Sequence, residues 1–213
     1  MRLLVLFFFC QYLGSNPLQS ATCDDYSAFD TPSIQEAKWL HDQALHASRK
    51  EVEDSEKRLF ELLEKEPHNQ LLRAYTGSLL TIKSGKSLPG PAALRIFNEG
   101  VRMMNQAVEN APTDVNVRLI RAINHLELPA FFNKKKQSRD DFNWLLSEIK
   151  SAKNELVPDI TASVIYYYAG LSEYHYGDKK NASNIWREGL KKIKNHEWRV
   201  RIARALGEST VAR

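Results

Sequence analysis

At 213 residues, with 43% hydrophobic and 26% charged side chains, the chain carries enough apolar material to bury a core, which excludes a disordered tail. Nine Gly and eight Pro are too few for a collagen-like or low-complexity sequence, and they punctuate long helix-forming stretches. The formal net charge is only +4 and no nucleic-acid partner is expected, and two cysteines cannot supply a disulfide scaffold.

The first element is MRLLVLFFFCQYLG, where Arg2 precedes an apolar run from Leu3 to Leu13 and a polar, small-residue segment follows from Ser15 to Ala21. This layout predicts a secretory signal over residues 1–21 with cleavage near Ala21. The run of about eleven apolar positions falls short of the ~20 needed to span a bilayer. The expected location is therefore periplasmic or secreted. Cys10 would leave with the signal, so Cys23 alone remains; its place beside the cut raises a lipid anchor, although Ser20-Ala21-Thr22 lacks the Leu such signals prefer. Residues 22–32 then read as a flexible arm and 33–213 as one helical domain.

Charge is divided along that domain. Asp24 to Glu66 holds twelve acids and six bases, a net −6, whereas Lys179 to Arg213 holds ten bases and three acids, a net +7. Head-to-tail association, an acidic partner or anionic headgroups would each suit such a dipole.

A repeat organises the middle. Apolar helical stretches stop at Pro67, Pro112 and Pro158, and new helices are expected directly after Asn69, Asp114 and Asp159, whose side chains can cap free amides. In the last unit Tyr166, Gly170, Ala182, Trp186 and Gly189 follow one another as bulky, small, small, aromatic and small; in the first, Trp39, Ser55, Leu59, Leu62 and Pro67 stand in corresponding places. On these residues the chain resembles the tetratricopeptide repeat family over about Glu36 to His196. The resemblance implies an all-α, right-handed solenoid of about four helical hairpins. The amphipathic segment Glu197 to Leu206 is expected to cap it.

The middle units are stretched. Gly77 and Gly100 lie 23 positions apart, which predicts an insertion between Thr81 and Leu94, and a second insertion runs from Leu128 to Lys136. Small residues such as Gly77, Ala122 and Gly170 are expected to let helices approach, with Trp39 and Trp186 filling the space beside them.

For function, the resemblance implies a scaffold that binds rather than transforms. The groove positions of the family fall on Ala37, Leu40, Ala44 and Ala47; Leu71, Ala74, Ser78 and Thr81; Asn116, Leu119, Ile123 and Leu126; and Val164, Tyr167, Leu171 and Tyr174. That surface reads as apolar, fit for a protein partner presenting an amphipathic helix, or for a lipid-like chain. The binding residues expected are Leu119, Ile123, Tyr167, Leu171 and Tyr174. They are joined by the second insertion, where Phe131 and Phe132 adjoin Lys134, Lys135 and Lys136, an aromatic and basic cluster suited to an anionic membrane or polyanion. The alternative reading is a lipid- or small-ligand-binding accessory protein of an envelope transport system.

No enzyme, cofactor or metal is expected. Gly85-Lys86-Ser87 imitates a phosphate loop but has Leu80 where that motif needs Gly, and no strand precedes it. His41 and His46 are five apart and diverge around a helix, while Cys23 stands alone in the arm.

Overall fold

The protein is represented by a computed structural model that describes residues 30–151 and 157–207. The expected signal, its cleavage point and Cys23 lie outside the described residues. Among those described the architecture is all-helical, without strands: α1 (Pro32–His46), α2 (Arg49–Lys65), α3 (Gln70–Lys86), α4 (Pro91–Asn110), α5 (Val115–Glu127), α6 (Lys135–Lys150), α7 (Asp159–Tyr176), α8 (Lys179–Lys192) and α9 (His196–Ala205). No described helix is long and apolar enough to cross a membrane.

Helix starts follow the capping chemistry written in the sequence. Thr31 caps α1 ahead of Pro32, and Ser48 with Glu51 forms a reciprocal capping box on α2. Asn69 caps α3 and Asp114 caps α5, each accepting backbone amides of the first turn as expected. Asp159 departs from expectation. It is the first residue of α7 rather than its cap, and its carboxylate accepts the backbone amides of Lys194 at 2.9 Å and Asn195 at 2.8 Å, tying the start of α7 to the turn before α9. Gly177 ends α7 in the left-handed region, at φ 100°, where glycine has no steric penalty.

Each helix packs on the next, and the odd-numbered helices also touch in series, α1 on α3, α3 on α5, α5 on α7 and α7 on α9. The insertion expected between Thr81 and Leu94 is not a loop. Its residues lengthen α3 and α4, leaving only the turn 87–90 outside helix, and they make α3–α4 the most extensive helix pair. The two glycines of that pair face each other: a Cβ on Gly77 would come 2.7 Å from the Gly100 carbonyl oxygen, and one on Gly100 would come 2.5 Å from that of Gly77. Gly85 and Lys86, which imitate part of a phosphate loop, belong to the last turn of α3. In the second insertion, residues 130–132 form a single 3-10 turn and Lys135 and Lys136 already belong to α6.

Two main cores result. One gathers Ile34, Leu40, Val52, Leu59, Leu72, Leu79 and Met103 from α1–α4; the other gathers Leu119, Phe142, Leu145, Ile165, Tyr166, Trp186 and Ile202 from α5–α9. Between them sits a small cluster of Ala74, Ala107, Val108 and Val117. In the second core Gly170 makes room for Trp186, whose indole Nε1 donates to the Tyr167 carbonyl at 3.0 Å, and Gly189 lies against the Tyr166 ring. Trp39 does not repeat this role: it is 59% exposed on α1.

Candidate functional site

The odd-numbered helices touch in series, and two clusters of side chains bridge them. On the first, His41 of α1 meets the Ser78 hydroxyl of α3 through Nε2 at 2.9 Å. Asn124 of α5 donates through Nδ2 to that same Ser78 Oγ at 3.0 Å and to Thr81 Oγ1 at 2.7 Å. One polar chain thus spans three helices. The Asn124 Oδ1 atom is buried without a hydrogen-bond partner among the described residues, an acceptor left over after its amide has been used twice. The edge of the Tyr75 ring contacts His41 at 5.5 Å between centroids.

The second cluster is aromatic. Tyr167 and Tyr168 of α7 meet edge to face at 5.1 Å, and Trp198 of α9 lies 5.5 Å from Tyr167 and 6.4 Å from Tyr168. Arg201 covers the Trp198 ring at 4.6 Å while pairing with Glu197 at 2.6 Å. Ile123 and Leu171 are half-buried against the same core.

Burial, first of all, raises the Tyr168 hydroxyl above the ordinary phenol range, and the charges of Glu127, Tyr167 and Asp42 add to it while Arg201 opposes. Glu127, at the end of α5, keeps solvent access yet is crowded by protein, and that desolvation raises its carboxyl. A carboxylate, a guanidinium and three aromatic rings together can hold a polar group and stack an apolar one.

The expected binding residues divide into three groups. Ile123, Tyr167 and Leu171 are half-buried against the core that contains Leu119, but Leu119 itself is only 7% exposed and serves as packing. Tyr174 is 45% exposed near the end of α7, apart from Tyr167, with Lys179 5.4 Å from its ring. Phe131 and Phe132 form a third group: Phe132 stacks on Phe97 at 3.9 Å and Phe131 leans on Phe132 at 4.3 Å, leaving Phe131 70% exposed. Lys134 precedes α6 as its cap residue and Lys135 opens the helix.

Nine of the sixteen positions assigned to the groove are buried, Ala37, Leu40, Ala44, Ala74, Ser78, Thr81, Leu119, Leu126 and Val164. Beside Leu40, His41 is half-buried, bonded to Ser78 and packed on Tyr75, so the lining there is mixed rather than wholly apolar. His41, Asn124 and Glu127 were missed because the groove was read only at the four family positions of each first helix, and Trp198 and Arg201 because their segment was read only as a cap.

Among the described residues no group of three or more His, Cys, Asp or Glu is arranged to hold a metal ion. No protein-family model, curated protein or solved structure matches the chain.

Proposed function

We propose that this chain is an exported interaction scaffold, a right-handed solenoid of tetratricopeptide-like hairpins closed by α9, that holds a segment of a partner protein against the face of its odd-numbered helices. Two packing facts support the repeat reading: the serial contacts of α1, α3, α5, α7 and α9, and the fit of Trp186 over Gly170 and Tyr166 against Gly189. The signal-like start supports export.

The observation that carries the binding reading is the pairing, on one face, of a hydrogen-bonding chain (His41, Ser78, Asn124) with an aromatic cluster (Tyr167, Tyr168, Trp198). Rigid rings on helices anchor a ligand at small entropic cost, and polar groups beside them fix its register. A partner segment with apolar side chains and one basic group opposite Glu127 fits best.

The test is affinity capture from secretory or envelope fractions with the wild type and with the double variant Tyr167→Ala/Glu127→Arg. Capture of a defined partner by wild type, reduced at least tenfold by the variant, is expected. Identical captures from the two proteins would remove the proposal. A lipid adduct in native mass spectra of the wild type would instead favour the ligand-binding alternative.

A further inference from the structure

Eight large apolar side chains are exposed among the described residues, and six of them share a location. Leu45, Leu88, Leu94, Phe131, Tyr174 and Tyr176 lie at or beside the turns that join each odd helix to the even helix after it. Three of the opposite turns, residues 66–69, 111–114 and 193–195, carry none of the eight, and neither do the described residues 151 and 157–158 of the fourth. Singly exposed apolar residues scattered over a surface would not be sorted in this way.

Direct contacts join the four turns into one edge. At the end of α3, Lys86 Nζ donates to the carbonyls of Leu45 at 3.2 Å and Ala47 at 2.8 Å, reaching the first turn. Phe97 on the first half of α4 stacks on Phe132 of the third turn. Arg139, one turn into α6, lies 4.1 Å over the Tyr176 ring of the fourth while it pairs with Glu173 at 2.7 Å.

The edge is also basic. From Pro129 to Arg139 the chain has four bases and no acid, and Lys179 and Lys180 stand at the start of α8. Glu127, which ends α5, is exposed, but the other acids nearby are occupied within the protein. Glu51 completes the Ser48 capping box, Glu53 pairs with Arg49, Asp178 caps α8 and Glu173 is 2% exposed beneath Arg139. Lys136 has Asp140 at 2.7 Å, whereas Lys134 and Lys135 have no carboxylate partner among the described residues.

We infer that this edge docks on an anionic lipid bilayer, with Phe131 and Leu88 entering the headgroup boundary and Lys134, Lys135, Lys179 and Lys180 facing the lipid charges. Projecting apolar residues separated along four turns, with lysines between them, suit a fluid surface that conforms to each; a folded partner would need one contiguous complementary shape. The shared face of the odd helices is left free, so the edge adds a membrane-bound setting to the binding proposed above without depending on it.

Flotation of the purified chain with vesicles tests this. Binding is expected to vesicles containing about a third phosphatidylserine and not to phosphatidylcholine alone, falling at least tenfold between about 0.1 and about 0.5 M salt. Phe131→Ser and the double variant Lys134→Glu/Lys135→Glu should each lower binding about tenfold with helicity by circular dichroism unchanged, while Phe60→Ser, on the flank of α2, should leave it intact. Equal binding to both lipids, binding to neither, or binding indifferent to Phe131→Ser would overturn the inference. So would a concentration-dependent dimer abolished by Phe131→Ser, which would give the edge to a second copy of the chain.

Discussion

Trp186 occupies space that exists because Gly170 has no side chain, and its indole proton is satisfied by a carbonyl on the facing helix. Gly170→Ala should therefore expel the ring and break that bond, costing about 3 kcal/mol, measurable as a lowered urea midpoint with unchanged slope. His125 is the opposite case. It is fully buried, both ring nitrogens lack a partner among the described residues, and burial, with Lys134 and Arg121 adding, lowers its pKa from 6.5 to about 3. Since the folded state resists a proton that the unfolded chain accepts below pH 6.5, this residue withdraws stability as pH falls from 6.5 towards 3. His125→Leu should raise stability by roughly 1–3 kcal/mol at pH 7, and by more at pH 4.5, with the difference growing by at most ~1.4 kcal/mol per pH unit. Equal gains at both values in denaturant titrations would contradict this account. The Gly170–Trp186 fit was readable from residue type and spacing alone, whereas nothing in the local sequence distinguishes buried His125 from exposed His46.

At the scale of elements, charge pairing locks α5 to α6. Asp141, 2% exposed, accepts from Arg118 at 2.9 Å and from Arg121 at 2.7 and 2.9 Å, and Trp144 stacks under the Arg118 guanidinium at 4.3 Å. Asp141→Ala strands a buried guanidinium and should cost about 3–5 kcal/mol, whereas an exposed pair such as Lys136–Asp140 should contribute under about 1 kcal/mol by the same thermal-melt comparison. Helix existence and most starts were legible because capping and proline stops are local chemistry. Helix length in α3 and α4 was not. The Gly77–Gly100 spacing indicated extra residues but could not say whether they bulge or extend the pair, since that depends on Leu79 and Leu80 of α3 packing with Met103 of α4. The polar contact of His41 was hidden for the same reason: its partner Ser78 lies on α3, 37 positions away.

For the whole molecule, the contacts are predominantly between sequence neighbours, and the two large cores draw on separate halves of the chain. Such a protein should open in parts rather than all at once. Gly170→Ala, which damages the second core, is expected to speed amide exchange in α7, α8 and α9 while α2 and α3 keep wild-type rates; uniform acceleration would show that the halves are a single cooperative unit. The apolar groove drawn from the sequence depended on this largest scale, because a lining is set by how successive pairs are turned upon each other, and several residues it named, such as Leu119 and Leu126, are buried as packing.

The joint between the halves has a mechanical consequence. What bridges it is a set of small contacts: Ala74, Ala107, Val108 and Val117, the cluster of Phe97 and Val101 with Leu128 and Phe132, the strap of hydroxyl and amide groups from Ser78 and Thr81 to Asn124, and Asn105 accepting from Arg121 and Gln137. Pulled by its ends in an optical trap, the molecule should yield at this seam first, giving two rips of comparable length, and Asn124→Ala should lower the force of the first.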